Sequence, residues 1–292
     1  MPNKIENRDT LNELRAEIDD IDCKVHDLLM DRADLVTRIK EVKSLGSIAT
    51  VRPGREAYIL RRLMNRHRGN FPKVAVARIW REIIAGITRM EMPTYKVAVY
   101  VTDKNQTYWD LARDQFGVMA PMQHFAQIKV VLTNITSGQA TIGVVPIPGN
   151  DSTEPWWISL MVPDGLRIVY KLPFFKGTNV RNNPNEVASA FAVGRILPDT
   201  TEDDRTLLVI ATEEPLSRSA VCDLTMRVGL NSSLLTSSQQ GDWYHLVEIS
   251  SFITENDPRM ENLNKISEIL RTAIVGSYAE PLPAFGNENE AS

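Results

Sequence analysis

The chain has 292 residues, 43% of them hydrophobic, and a formal net charge of −4 at pH 7. This composition is ordinary for a globular protein of two or three domains, and the acidic excess argues against nucleic acid as the main partner. No apolar run has the length of a membrane span, and no signal peptide is recognisable. Cys23 and Cys222 have no metal-type spacing. We therefore expect a cytoplasmic protein with free thiols, no metal and no cofactor.

The first predicted element is one long helix over residues 10–46. Thr10 and Glu13 have the spacing of a capping box at its start, and Gly46 is a natural stop. Apolar residues recur every three or four positions in between, which is one stripe along a helix. A helix of about 35 residues is roughly 50 Å long. Such a stripe needs an equally long partner, so we predict a homodimer in which two copies of the helix pack together.

Basic residues interrupt this stripe. Arg32 stands where the pattern expects Leu or Ile, Lys43 lies about three turns further on, and Arg15 lies upstream. A cation on a core-facing surface is costly unless an anion meets it. Carboxylates of the same helix could be those anions, and so could a ligand; spacing alone leaves both alternatives open. The candidate carboxylates are Asp19, Asp20 and Asp22.

Two shorter helices complete an all-helical N-terminal region. They are predicted over residues 55–68 and 73–90, each with its apolar positions on one side, and Pro93 ends the second of them. Further charged residues, Arg52, Arg55 and Glu56, follow the loop after the long helix.

Short strands and helices alternate beyond the third helix. Strands are predicted at residues 95–102, 128–132 and 140–147, and a helix at 108–116. This alternation predicts an α/β layer. Residues 166–195 match no pattern.

The C-terminal part follows a polar linker at residues 196–204. Its pattern predicts the order strand, helix, strand, strand, helix, strand, which is a ferredoxin-like arrangement. Ser217 is the predicted cap of the first of these helices. The strands are predicted at 207–212, 231–237, 243–252 and 273–279, and the helices at 217–228 and 261–272. The polar tail, residues 283–292, is expected to be disordered.

Residues 1–92 resemble the all-helical class of chorismate mutase. The motifs appear in order: LRAEIDDID, the Arg in LLMDRADL, the Lys of IKEVK, RPGRE and IWREII. The likeness is to the form fused to prephenate dehydratase in bacterial phenylalanine synthesis. It implies a multidomain protein whose three-helix domain forms an intertwined helical dimer. It also implies rearrangement of chorismate to prephenate on the pathway to phenylalanine and tyrosine.

The same resemblance implies roles for particular residues. Arg32 and Arg15 would hold the substrate carboxylates, with Arg15 reaching in from the other chain of the dimer. Lys43 would donate to the ether oxygen of the substrate. Glu56 would accept the substrate hydroxyl, and Arg55 would support a carboxylate or the loop.

The resemblance also assigns three site positions at which the residue in this sequence differs from that in some family members. Arg52 stands where some members have an acidic group. Glu91 stands where some members have a Gln that donates to the ether oxygen, so a Glu would help there only in its protonated form. Ile87 replaces a Ser found in some members, which removes one polar contact.

Residues 93–196 resemble a degenerate prephenate dehydratase domain. The partly preserved motif is GVVPIPGN (residues 143–150), where Pro148 and Gly149 replace the Glu of the family's VVPIEN motif. The closest match to the family's Thr-Arg-Phe motif is Ser189-Ala190-Phe191, and the segment has about half the length of a two-lobed dehydratase. We therefore predict that dehydratase activity is lost.

Residues 205–282 resemble the ACT regulatory domain of the fused enzymes. Arg218–Val221 and residues 236–239 correspond to the phenylalanine-binding motifs, and neither motif is preserved. An amino-acid effector and a purely structural pairing role are both compatible with this segment.

Two other functions are alternatives to the mutase hypothesis. The chain could be a non-catalytic regulator that senses an aromatic amino acid or docks onto another enzyme, or it could be a bifunctional mutase–dehydratase. An isochorismate-pyruvate lyase uses the same fold, but Lys43 and the C-terminal segments favour the mutase.

Overall fold

The computed structural model describes residues 4–43, 51–102, 106–149, 154–176 and 189–283. The chain divides into two compact units, Met1–Thr50 and Val51–Ser292. The predicted helix stop at Gly46 and the tail from residue 284 lie outside the described residues. No helix in the described ranges is long and apolar enough to cross a membrane.

The described residues of the first unit form the long helix α1, Lys4–Lys43. The predicted helix is therefore confirmed, and it begins six residues earlier than the capping-box pattern indicated. Its apolar stripe is exposed: Leu28 is 66% exposed and Ile18 57%. A 40-residue helix with an uncovered apolar stripe gains stability when a partner buries that stripe, because apolar surface is then removed from water.

The second unit begins with two helices, α2 (Pro53–Arg66) and α3 (Lys73–Glu91), close to the predicted ranges. Pro53 is a natural first residue of a helix because its missing N–H would have no partner there. The buried face of α2 includes Leu60, which packs with Ala77 of α3 and with Phe174.

The rest of the described second unit contains a mixed sheet of nine strands, in the order β2-β1-β3-β5-β4-β9-β6-β8-β7, together with shorter helices. Strands β1, β2 and β3 are parallel, and β6 to β9 are antiparallel to their neighbours within that group. The strands are β1 Val97–Tyr100, β2 Met122–Phe125, β3 Ile142–Pro146, β4 Arg167–Leu172, β5 Ala190–Gly194, β6 Asp204–Thr212, β7 Ser232–Gln240, β8 Asp242–Ile249 and β9 Arg271–Ala279. The helices are α4 Thr107–Phe116, α5 Ile128–Thr136, α6 Arg218–Met226 and α7 Pro258–Leu263, with a 3₁₀-helix at Trp156–Met161.

The two halves of this sheet meet where β4 runs parallel to β9, with Ile168 opposite Gly276. A Cβ on residue 276 would lie 2.2 Å from the Ile168 carbonyl oxygen and 2.6 Å from its nitrogen. Only glycine permits this approach, so Gly276 is the residue that lets the halves join. The dehydratase-like and ferredoxin-like segments consequently share one sheet, and the boundaries between them stay a prediction.

The predicted strand at residues 128–132 is wrong, because this segment is the first half of α5. Ile128, Val131 and Ile135 are buried at helical spacing, and Gly143 of β3 leaves room for them, since a Cβ there would lie 2.6 Å from Ile135 Cδ1. A short β-branched run carries no period long enough to distinguish strand from helix. Tertiary packing decided the outcome.

The helix predicted at residues 261–272 is also wrong over most of its length. Asp257 caps an earlier start by accepting a hydrogen bond from the Arg259 backbone N–H (2.9 Å), and α7 ends at Leu263. Residues from Arg271 onward pair with β6 instead. The ladder satisfies backbone groups that a helix would otherwise have satisfied.

The C-terminal order of strand, helix, strand, strand, helix, strand is confirmed. Its strands lie in the order β9-β6-β8-β7, and α6 and α7 contribute to one apolar cluster with them. The predicted cap at Ser217 is present, since its Oγ accepts from the Ala220 backbone N–H (3.2 Å).

Candidate active site

Helix α1 carries three of the predicted site residues. Arg15 is exposed, Arg32 is half-buried, and Lys43 is the last residue of the helix, with its side chain outside the described atoms. Arg15 and Arg32 are 17 positions apart, which rotates one relative to the other by about 260°, or about 100° by the shorter way round the helix. One α1 therefore presents these two guanidinium groups in different directions.

The sequence left open that the basic residues of α1 form ion pairs with acidic residues of the same helix, and the contacts on α1 bear on this alternative. Asp20 pairs with Lys24 one turn later, with 2.5 Å between Oδ2 and Nζ. Arg15 makes no hydrogen bond or ion pair with a described residue. The Asp20 carboxylate thus does not serve as the partner of Arg15.

Glu56, in the first turn of α2, lies in a buried polar contact set. Its Oε2 accepts from Arg81 Nη1 of α3 (3.0 Å), and its Oε1 accepts from the Tyr170 hydroxyl of β4 (2.9 Å). The Arg81 side chain is 5% exposed and the Glu56 side chain 14%. These contacts connect both helices to the sheet at one carboxylate.

Burial dominates the electrostatics of this contact set. It raises the pKa of Glu56, against the opposing effects of Arg81 and Tyr170. It lowers the pKa of Arg81, which the Glu56 charge partly offsets. It also raises the pKa of Tyr170 well above 10, and the nearby Glu56 adds to that shift. Tyr170 therefore remains a hydroxyl donor at neutral pH.

The other predicted residues in and just before α2, Arg55 and Arg52, have other partners. Arg55 is exposed, and its guanidinium lies over the Tyr58 ring, 5.1 Å from the centroid. Arg52 donates from Nε and Nη2 to Asp199 Oδ2, at 3.1 and 3.0 Å. The predicted linker that contains Asp199 is thus attached to the start of α2.

Ile87 and Glu91 lie on the last two turns of α3, and both are half-buried. The structure brings Glu56 together with Arg81 and Tyr170. Arg52, the residue before α2, contacts Asp199 instead, and Arg55 of α2 contacts Tyr58.

The sequence prediction missed Arg81 and Tyr170. Arg81 had a detectable signal, because it follows the buried Ala77 by four residues and so falls on the apolar face of α3. Tyr170 had none, since it belongs to the segment that matched no pattern.

Comparison with known proteins identifies the helical region. Residues 14–92 match the family model described as chorismate mutase type II. The chain therefore carries a chorismate mutase type II domain at its N-terminus.

The curated relatives are larger proteins. The bifunctional chorismate mutase/prephenate dehydratase of Aquifex aeolicus is 35% identical over 141 residues, 47% of this chain and 38% of the relative. The protein of the same description from Pseudomonas aeruginosa is 32% identical over 152 residues, 50% of this chain and 40% of the relative. The matched region thus spans about two fifths of each relative.

Among solved structures, prephenate dehydratase from Arthrobacter aurescens in complex with L-Phe aligns with a TM-score of 0.48 and 14% identity. The alignment covers 63% of this chain and 90% of that chain.

Proposed function

We propose that the protein is a chorismate mutase, which rearranges chorismate to prephenate. The match of residues 14–92 to the type II mutase family carries this proposal. The cations Arg15, Arg32 and Lys43 on α1 supply the chemistry that the reaction requires.

The reaction is an intramolecular rearrangement, so the enzyme needs no covalent bond to the substrate and no proton transfer. The substrate is a dianion that must fold into a chair-like shape while negative charge grows on its ether oxygen. A catalyst therefore works by restricting conformation and by placing donors where charge develops. Arginine suits the carboxylates because its planar fork binds them bidentately, and lysine suits a single oxygen as a compact cation.

The proposed site is completed by a second chain. Arg32 of one chain and Arg15 of the other hold the two carboxylates, and Lys43 donates to the ether oxygen. The different directions of Arg15 and Arg32 on α1 support a site shared between two helices, and the exposed apolar stripe supports their pairing.

Glu56 accepts the substrate hydroxyl in this proposal, and Arg55 supports a carboxylate or the loop. An ionised carboxylate has about four acceptor positions, so Glu56 retains acceptor capacity beyond its bonds to Arg81 and Tyr170. Those two bonds hold the carboxylate in one orientation. Arg52, paired with Asp199, then acts on the site through the start of α2.

We also propose that the dehydratase reaction is absent. The middle residue of the motif-like triplet is Ala190, the fully buried first residue of β5, where the family has a charged Arg. The C-terminal ferredoxin-like part is proposed as an ACT-like domain for pairing or for an amino-acid effector.

A product assay tests these proposals. Purified protein is given chorismate while prephenate and phenylpyruvate are followed, and phenylalanine, tyrosine and tryptophan are added singly. We expect prephenate alone. Phenylpyruvate would show that a dehydratase is present, and an unchanged rate with every amino acid would remove the effector role.

Lys43→Ala identifies the catalytic cation. Loss of a donor to developing charge should lower kcat by about 10²–10³-fold. Lys24→Ala, which removes an exposed cation of the same helix, is the matched control and should leave the rate unchanged. If chorismate is not consumed, or if Lys43→Ala still supports growth without phenylalanine and tyrosine, the non-catalytic regulator is favoured.

A further inference from the structure

A cleft of about 480 Å³ lies beside the junction of the two half-sheets, and none of the proposed mutase residues lines it. Gly276 and Ser277 of β9 line it, together with Arg167 at the start of β4 and Arg195 just after β5. Its volume is that of a typical small-molecule pocket.

Strand register explains why two arginines meet at this cleft. Arg167, the first residue of β4, lies directly opposite Gly194, the last residue of β5, in their antiparallel ladder. Arg195 follows Gly194, so both arginines lie at the same end of this strand pair. The close approach of β4 to β9 at Gly276 brings β9 to the same place. The topology thus places the two arginines of the β4–β5 pair next to residues of β9 in one cleft.

The two guanidinium groups differ in what they already bind. Arg167 Nη1 donates to the carbonyls of Leu160, Val162 and Leu166, at 3.4, 3.2 and 3.0 Å, and its Nη2 lies 3.7 Å from Glu255 Oε1. Arg195 is exposed and makes no hydrogen bond or ion pair with any residue in the described ranges. Arg195 therefore offers an uncompensated bidentate donor to the cleft.

Acidic and apolar side chains define the rest of the lining. Glu255 is offset by Arg167, and Asp164 is exposed to water in the turn before β4. Ile196, Phe252 and Ile274 supply an apolar wall. A ligand that matches this lining carries an anionic, planar head for Arg195 and an apolar body for the wall.

We propose that this cleft binds a small carboxylate carried on an apolar body, with Arg195 as the carboxylate-binding residue. This inference is independent of the mutase reaction, because none of its residues belongs to the proposed active site.

Calorimetric titration of the full-length protein tests the proposal with three probes. Phenylacetate has the proposed chemistry, phenethylamine has a similar body with a cationic head, and inorganic phosphate has the charge without the body. We expect saturable binding of phenylacetate with a Kd of about 1 mM or tighter. The other two probes should bind at least about tenfold more weakly.

Two variants test whether phenylacetate binds in the cleft. Arg195→Gln removes the proposed contact and should weaken phenylacetate binding about tenfold. Thr254→Trp fills the cleft from an exposed lining position and should abolish binding. Arg227→Gln, an exposed arginine paired with Glu268, is the control and should bind as the wild type does.

Circular dichroism and the thermal transition establish that each variant is folded. Absence of phenylacetate binding to the wild type overturns the proposal. Equal binding of phosphate or phenethylamine overturns the assigned ligand class, and binding that survives both cleft variants places the site elsewhere.

Discussion

The Glu56 carboxylate and the Arg81 guanidinium form a buried ion pair, with 3.0 Å between Oε2 and Nη1. It joins α2 to α3, and Tyr170 of β4 donates to the other carboxylate oxygen. Neither charge has ready access to water, so each depends on the other for its electrostatic stabilisation.

Removal of only one partner of this pair should be strongly destabilising. We expect Arg81→Met to lower the free energy of unfolding by about 3–5 kcal/mol, because Glu56 is left buried without its counter-charge. Urea denaturation measures the loss. The double variant Glu56→Leu/Arg81→Met should recover much of it, since no buried charge remains.

Arg227→Met is the control for that experiment. Its ion pair with Glu268 is exposed, so the change should stay within about 1 kcal/mol. An equally small effect of Arg81→Met would contradict the importance of the buried pair.

The raised pKa of Glu56 predicts a pH dependence of stability. The folded chain holds the Glu56 proton more tightly than the unfolded chain, because burial raises this pKa above 4.5. The associated stability is present below pH 4.5 and is lost as the pH rises through the folded pKa. Glu56→Gln cannot titrate. The free energy of unfolding of the wild type, minus that of Glu56→Gln, should therefore decline above pH 4.5 and then level off.

Urea denaturation of both proteins at pH steps from about 4.5 to 8 measures this difference. A difference that stays constant with pH would show that Glu56 has the same proton affinity in both states.

Gly276 should not tolerate even a methyl group. A Cβ would lie 2.2 Å from the Ile168 carbonyl oxygen, and backbone on a paired strand cannot move aside cheaply. We expect Gly276→Ala to cost about 3 kcal/mol or more in unfolding free energy. The control is Gly86→Ala, because a Cβ at this helical position meets nothing within 4 Å. It should stabilise the protein by about 1 kcal/mol. Equal unfolding midpoints for the two variants would refute the close-approach argument.

Glu91→Gln should raise the mutase rate. An amide can donate to the ether oxygen, whereas a carboxylate would repel the negative charge that develops there. Glu82→Gln is the control on the same helix, because the Glu82 carboxylate accepts from the Val118 backbone N–H instead, and it should leave the rate unchanged. An unchanged rate in Glu91→Gln would remove Glu91 from the mechanism.

The exposed stripe of α1 predicts a dimer that a single charge disrupts. Leu28 is 66% exposed in one chain, and a carboxylate at this position would be buried against a second helix. We expect Leu28→Asp to give monomers by light scattering and to lose mutase activity. Met119, 72% exposed outside α1, provides the control Met119→Asp, which should remain dimeric. A wild-type monomer with full activity would exclude the shared site.

The sequence by itself determined the three N-terminal helices and the C-terminal order of strands and helices. Long runs with one period, and local caps such as Ser217, carry their signal within a few residues of chain. The apolar stripe also made Arg32 stand out as a cation on a core-facing surface, whereas the roles of the catalytic candidates came from the resemblance to chorismate mutase.

Only the tertiary structure decided the identity of α5, the sharing of one sheet by both C-terminal segments and the partners of Glu56. Arg81 and Tyr170 are 25 and 114 residues away from Glu56 in the chain. No local pattern encodes such pairs. The fold selects them because a buried carboxylate needs donors, and packing of α2 and α3 on β4 determines which donors are within reach.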